Sequence, residues 1–282
     1  SSRTGIIRFH RDFLARRLGN ARDLTVYLPP GYEDPSEATR RYPVLYMQDG
    51  QNLFDEQTAA FGMEWRVDQT AAKPTRDRAL IDQWLADQGF IVVGIDNTPD
   101  RVAEYTPWKD QRTGAGGKGD QYADFLALEV KPFIDQTYRT LADRAHTAVA
   151  GSSLGGLIAL HVVARHHARF GSCAAISPSL WWDSERLLRE FESKGPTWPR
   201  SVRFWIDMGT REVGDLERSK LGVERVRRLE KLLKAAGLRP EHDLRCLIVP
   251  DATHDESQWA DRFDQVLLFF YGRSQPGPDR SR

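Results

Sequence analysis

Ala148-Val149-Ala150-Gly151-Ser152-Ser153-Leu154-Gly155-Gly156 carries an apolar run into a glycine-flanked serine and out toward Leu160, Val162 and Val163. Gly151-Ser152-Ser153-Leu154-Gly155 meets the pattern G-x-S-x-G, in which a serine sits on a sharp strand-to-helix turn and the residues two places away have no room for side chains. Only Ser153 has glycine at both −2 and +2, so it, and not Ser152, is the candidate nucleophile. The pentapeptide alone is a weak signal. A short β-rich run at 146–150 before it and a helix-like stretch at 154–166 after it supply the setting the motif requires.

Working outward, residues 6–14 and 24–28 are β-rich with Gly19-Asn20 between them, which predicts an antiparallel hairpin at a sheet edge. Residues 43–47 form a continuous apolar run, as in a strand covered on both faces. Helical periodicity follows around 68–72 and 76–88, then a second buried strand at 90–95. The stretch 96–119 reads as a flexible rim loop. Its Gly114-x-Gly116-x-x-Gly119 lacks the preceding strand a dinucleotide site needs, so that match is rejected. Residues 120–136 read as helix interrupted at Pro132. Beyond the serine turn come strand 172–176 with helix 185–192, strand 202–208 with helix 216–236, and strand 244–249 with helix 258–271. This alternation predicts an α/β fold with a mostly parallel central sheet and helices on both faces. Residues 1–272 are expected to form a single domain and 273–282 a disordered tail. In such sheets ligands bind beyond the carboxyl ends of the strands. Ser153, Asp49-Gly50-Gln51, Ser177-Pro178-Ser179, 209–215 and 251–254 all fall at such ends.

A chain of 282 residues, 40% hydrophobic and 10% aromatic, is long enough for one large core. Forty basic residues balance forty acidic ones, which leaves no field to hold nucleic acid or an anionic membrane. A small molecule or a glycan is the expected partner, and nothing in the composition speaks to oligomeric state. Cys173 and Cys246 lie in apolar strand-like runs and read as buried free thiols. No apolar run reaches membrane-spanning length. The chain begins Ser1-Ser2 without methionine, so a leader removed on export to a periplasm or the outside is an expectation.

Serine is a poor nucleophile at neutral pH and needs a general base, most often a histidine held in one tautomer by a carboxylate. Of seven histidines, His254 follows the last strand in a loop able to fold back over the sheet end. His161 lies among apolar helix residues and reads as packed, and His166 and His167 close that helix. In the usual chain order the acid comes from the loop after the penultimate strand. Asp207, Glu212 and Asp215 all lie there; Glu212 is preferred for its place in the loop, while Asp215 resembles a helix N-cap. The oxyanion needs backbone donors. Leu154 supplies one and Gln51 is placed to supply the other, with Gly50 allowing close approach. Neither a metal nor a cofactor is called for: there is no HExxH, no CxxC and no histidine cluster at ligand spacing.

Taken together, Tyr27-Leu28-Pro29-Pro30-Gly31-Tyr32, Tyr46-Met47-Gln48-Asp49-Gly50-Gln51-Asn52-Leu53-Phe54, Glu104-Tyr105-Thr106-Pro107, the serine turn, Ser177-Pro178-Ser179-Leu180-Trp181-Trp182 and Gly209-Thr210-Arg211-Glu212 resemble an esterase family of α/β-hydrolases. That family takes in feruloyl and acetyl-xylan esterases, siderophore esterases, S-formylglutathione hydrolases and mycolyltransferases. The resemblance spans nearly the whole chain. It implies Ser153 as nucleophile, His254 as base, Glu212 as acid, and Gln51 with Leu154 as oxyanion hole. Some members carry aspartate at the acid position or lean on a serine–histidine pair, and the family does not fix the substrate.

The expected function is thus a cofactor-independent serine carboxylic-ester hydrolase acting on a sugar-linked, aromatic or siderophore-type ester through an acyl-enzyme. An acyltransferase would share the first half of that chemistry. A non-catalytic binding module on the same fold would be expected to lack the serine or the histidine, and both are here. Trp65, Trp108, Trp181 and Trp182 fall in or beside the rim loops, where aromatic walls suit a sugar or an aryl group. Trp182, Trp108 and Arg101 are the substrate-binding candidates, with Arg101 and Arg211 placed to meet an acidic group.

Overall fold

The computed structural model of the chain describes residues 5–53, 89–195 and 201–272. Its centre is an eight-stranded sheet in the order β1-β2-β4-β3-β5-β6-β7-β8. The hairpin of β1 (Ile6–Ala15) and β2 (Asn20–Leu28) is antiparallel and adds antiparallel to β4 (Ile91–Ile95). From β4 onward every pairing is parallel, through β3 (Val44–Gln48), β5 (Thr147–Ser152), β6 (Ser172–Ile176), β7 (Arg203–Gly209) and β8 (Leu244–Val249). The expected α/β architecture and its edge hairpin are therefore present. The helical expectations at 68–72 and 76–88, Trp65, and the tail expectation at 273–282 lie outside the described residues.

The continuous apolar runs have the anticipated cause, since alternate side chains of one strand enter different cores. Tyr46, Val93 and Val149 face one side, where α2 (Gly119–Phe125), α4 (Leu154–His166), α5 (Trp182–Lys194) and α6 (Leu216–Ala235) contribute to the same core. Leu45, Met47, Val92, Ala148 and Ala150 face the other, packed with Trp259, Phe263, Val266 and Leu267 of α7 (Glu256–Tyr271).

Two elements differ from the sequence expectation. The connection 96–119 holds a short helix, α1 (Arg101–Glu104), and a backbone bridge between Lys109 and Gly116. Around Pro132 the helix does not stop: α2 passes through a π-helical turn (Leu126–Val130) into α3 (Lys131–Thr137). Proline lacks an N–H and crowds the carbonyl four residues back, which here is Leu128 inside the widened turn, so the loosened ladder accommodates the ring.

The strand order separates the cysteines. Cys173 is level with Phe204 and Cys246 with Ile206, so β7 stands between them. Two strand spacings amount to roughly 10 Å, beyond disulfide reach. Burial raises both thiols, that of Cys246 to about 12. Two free thiols are therefore expected on titration of the unfolded, unreduced protein, with Cys173 resisting alkylation at pH 8 until unfolding. Finding both blocked before reduction would contradict this strand order.

Candidate active site

Ser153 follows β5 with φ 56° and ψ −121°, and Leu154 opens α4 directly after it. The glycines answer to measurable crowding. A Cβ on Gly151 would lie 2.5 Å from the Gly155 carbonyl oxygen, and one on Gly155 would press on Gln48 at 3.2 Å. The same sheet end carries three more left-handed non-glycine residues: Asp49 after β3 (φ 58°), Ser177 after β6 (φ 43°) and Asp251 after β8 (φ 58°). Strained backbone of this kind gathers at functional sites because it aims side chains that relaxed turns would not.

Glu212 is buried and committed on both oxygens. Its Oε2 meets His254 Nδ1 in a short contact, while Oε1 accepts from Ser177 Oγ at 2.7 Å and from the Gly209 N–H at 2.6 Å. Gly209 has to be glycine, since a Cβ there would stand 2.7 Å from that same Oε1. The His254 ring is also held edge to face by Trp259, with centroids 4.9 Å apart. Behind Glu212 the network continues. Ser177 Oγ accepts from Trp259 Nε1 at 3.2 Å and from Arg262 at 3.1 Å, and Arg262 pairs with Asp207 at 2.8 Å. Asp207, fully buried, also accepts from Trp205 Nε1. Of the three acids the sequence left open, only Glu212 touches His254. Asp207 is turned into the ion pair with Arg262, and Asp215 caps α6, accepting from the N–H groups of Glu217 and Arg218.

Ser153 Oγ lies 3.3 Å from Ser179 Oγ, and among the described residues no hydrogen bond joins it to His254. Both residues line the same cleft, and catalytic contacts of this type tighten when substrate arrives. Leu154, as the first helical residue, has no intrahelical acceptor for its N–H. Gln51 sits in a 3₁₀ turn (Gly50–Asn52), its side chain accepting from the Asn97 N–H at 3.2 Å. The turn is fixed from beneath by Asp49, which takes Arg101 in a two-pronged contact at 2.7 and 2.8 Å and Asn97 Nδ2 at 2.6 Å.

Several substrate-binding expectations move. Trp182 is buried, with its Nε1 donating to the Trp108 carbonyl at 2.8 Å, and Trp108 lines a separate hollow beside His161. Neither reaches the serine cleft. Trp181 does, because neighbouring residues on one turn face opposite ways, and this one stays 48% exposed. Arg101 borders the cleft but is engaged by Asp49, and Arg211 pairs with Asp251 at 2.9 Å. His161 and His166 are held by Asp120 and Asp124, away from the serine. Sequence reading missed Ser177 and Arg262 as partners of the Glu212 network. The available signal for Ser177 was its place at the carboxyl end of a strand; Arg262, on a distant helix, offered none.

The family model described as "Putative esterase" matches residues 15–270. Uncharacterized protein YbbA of Bacillus subtilis is 26% identical over 268 residues, covering 92% of this chain and 96% of that one. An endo-1,4-beta-xylanase/feruloyl esterase of Xylanibacter ruminicola is 27% identical over 255 residues, which are 88% of this chain and only 29% of that protein. Among solved structures, the siderophore hydrolase EstA from Aspergillus nidulans superposes with a TM-score of 0.70 at 21% identity, covering 94% of each chain, a likeness of fold.

Beneath the Asp49 turn, Asp96 stands out. Its Oδ1 is buried with no hydrogen-bond partner among the described residues, and the Gly50 backbone comes so close that a Cβ there would lie 2.6 Å from it. Burial, then the charges of Asp23 and Asp49, push its carboxyl up from 3.8 to about 7. The folded chain thus holds this proton where the unfolded chain has released it, so the contribution of Asp96 to stability falls as pH rises from about 4 to about 7 and is flat above. Asp96→Asn should be more stable than the parent at pH 8, by roughly 1–3 kcal/mol, and nearly equal to it at pH 4. Urea titrations at both pH values test this; an equal difference at the two would refute it.

Proposed function

The chain belongs to the "Putative esterase" family, and from that premise we propose that it is a serine carboxylic-ester hydrolase working through an acyl-enzyme, with Ser153 as nucleophile, His254 as base and Glu212 as acid. The observation that carries this is the two-sided grip on Glu212, whose one oxygen is anchored by Ser177 and Gly209 while the other is aimed at His254 Nδ1, in the cleft that contains Ser153. An anchored carboxylate holds the imidazole with Nδ1 protonated and Nε2 free to take a proton.

The chemistry follows from these positions. Ser153 Oγ turns from Ser179 to His254, loses its proton to Nε2 and attacks the ester carbonyl carbon. Negative charge moves onto the carbonyl oxygen, toward the N–H groups of Leu154 and Gln51. The bond to the alcohol oxygen breaks, the alcohol leaves with the proton from His254, and the acyl group remains on Ser153. Water, deprotonated by His254, then attacks the acyl-enzyme, releasing the acid and returning a proton to Ser153. The substrate is a small organic ester, and the feruloyl and siderophore names of sequence relatives support sugar-linked, aromatic or siderophore-type compounds. Residues 1–272 are proposed to act as one catalytic unit.

Ser153→Ala should lower turnover of an aryl ester on the order of 10⁴-fold or more with its melting transition nearly unchanged, and Ser152→Ala should stay active. An acyl adduct trapped from an activated ester should map to Ser153. Full turnover by pure Ser153→Ala protein would overturn the mechanism.

Glu212→Gln should lower kcat by on the order of 10²–10⁴ with little change in KM, because an amide facing Nδ1 selects the wrong tautomer and cannot favour the imidazolium. Asp207→Asn should act mainly on stability, at a cost of about 3 kcal/mol, by leaving Arg262 buried without its counter-charge. Steady-state kinetics beside denaturant titration separate the two. The reverse outcome, a crippled Asp207→Asn and an active Glu212→Gln, would move the acid to β7.

A further inference from the structure

Ser153 and His254 stand between two hollows of about 630 and 550 Å³, and both residues line each of them. Among the described residues, the larger carries Arg112, Arg218 and Arg225 against a single carboxylate, Glu212, which is turned onto His254. The smaller, again among the described residues, carries Asp49, Asp255 and Glu256 against a single cation, Arg101, which is turned onto Asp49. An ester carbonyl at Ser153 therefore lies on a boundary between opposite charges.

In the larger hollow two guanidiniums are only loosely paired. Arg112 Nε is 4.0 Å from Asp110 and Arg218 Nε is 3.7 Å from Asp215, with side chains 77% and 79% exposed. Pairs so long and so wet hold a guanidinium weakly. The two aspartates have other work: Asp110 accepts from Thr113, and Asp215 caps α6. Arg225 differs, being tied to Glu185 at 2.8 Å. In the same hollow, Trp181, Val213 and Leu221 expose 48%, 45% and 45% of their surface. Apolar side chains left open to water around a candidate nucleophile mark a surface built for a ligand.

Resting on the esterase reading of Ser153, we propose that the larger hollow receives an anionic half of the ester. That half is an aromatic or branched apolar body ending in a carboxylate or a similar oxyanion. The body lies against Trp181, Val213 and Leu221, and the oxyanion is taken by the forks of Arg112 and Arg218, whose paired N–H groups match two oxygens at once. The acid-lined hollow repels such a group and takes the neutral half, so the charge split also orients the ester over the serine.

Two ester pairs test this: 4-acetoxybenzoate against its methyl ester, with the charge on the alcohol half, and monophenyl terephthalate against its methyl ester, with the charge on the acyl half. At low salt, kcat/KM for the charged member should exceed that of its neutral partner by about tenfold in at least one pair. The preference should shrink in 0.5 M NaCl. In the Arg112→Gln/Arg218→Gln protein the ratio should collapse toward one. Equal or lower rates for the charged member in both pairs would overturn the charge assignment while leaving the esterase intact, and so would a ratio untouched by the double substitution. Turnover of none of the four esters would instead sink the esterase reading, and this inference with it.

Discussion

The backbone at Ser153 is the constraint on which the rest depends. A serine at φ 56°, ψ −121° is strained, by on the order of 1–3 kcal/mol, and persists only where its surroundings over-determine it. They do so here from two sides. The Ser153 N–H donates to the Ile176 carbonyl at the end of β6, and its own carbonyl accepts from Gly156, Leu157 and Ser179. On the opposite side Gln48 of β3 presses on the bare Cα positions of Gly151 and Gly155, and Gln48 is itself held by the Tyr122 hydroxyl. Three adjacent strands are thereby locked in register at the point where the candidate nucleophile emerges.

The strain is shared along the sheet end. Asp49, Ser177 and Asp251 share the positive φ of Ser153, each just past a parallel strand. Each turn then needs something to hold it. At Asp49 it is the Arg101 fork and Asn97, at Ser177 the backbone and carboxylate of Asp207, and at Asp251 an N–H donated to Thr210. Polar groups that look incidental along the chain are the fasteners of a strained rim.

Charge is handled differently at different depths. Asp207 with Arg262, and Glu104 with Arg22, are buried pairs, and removing one partner from such a pair would strand the other. Closer to the cleft, Glu212 balances its buried charge through hydrogen bonds and the histidine. At the cleft's outer wall Arg112 and Arg218 remain only loosely paired. Charge deep in the fold is held in place by its partners, and charge at the mouth is held only loosely.

The sequence by itself determined the alternation of strands and helices, because apolar runs, glycines and caps act over a few residues. It also singled out Ser153 by the steric demand of glycines at −2 and +2, and it narrowed base and acid to loops at one end of a sheet. Among Asp207, Glu212 and Asp215 it preferred Glu212 by loop position alone, since all three lie within nine residues of one another and nothing local shows what each one meets. Their difference is set by Arg262 on α7 and by the α6 N-terminus, which meet them only in space. The expected aromatic wall divides for the same reason: Trp181 and Trp182 are neighbours in sequence, and only the packed turn decides which one is buried. Arg112 and Arg218 join one hollow although more than a hundred residues separate them. What depends on local stereochemistry is written in the chain; what depends on which distant surface a side chain meets is decided only when the strands have been ordered.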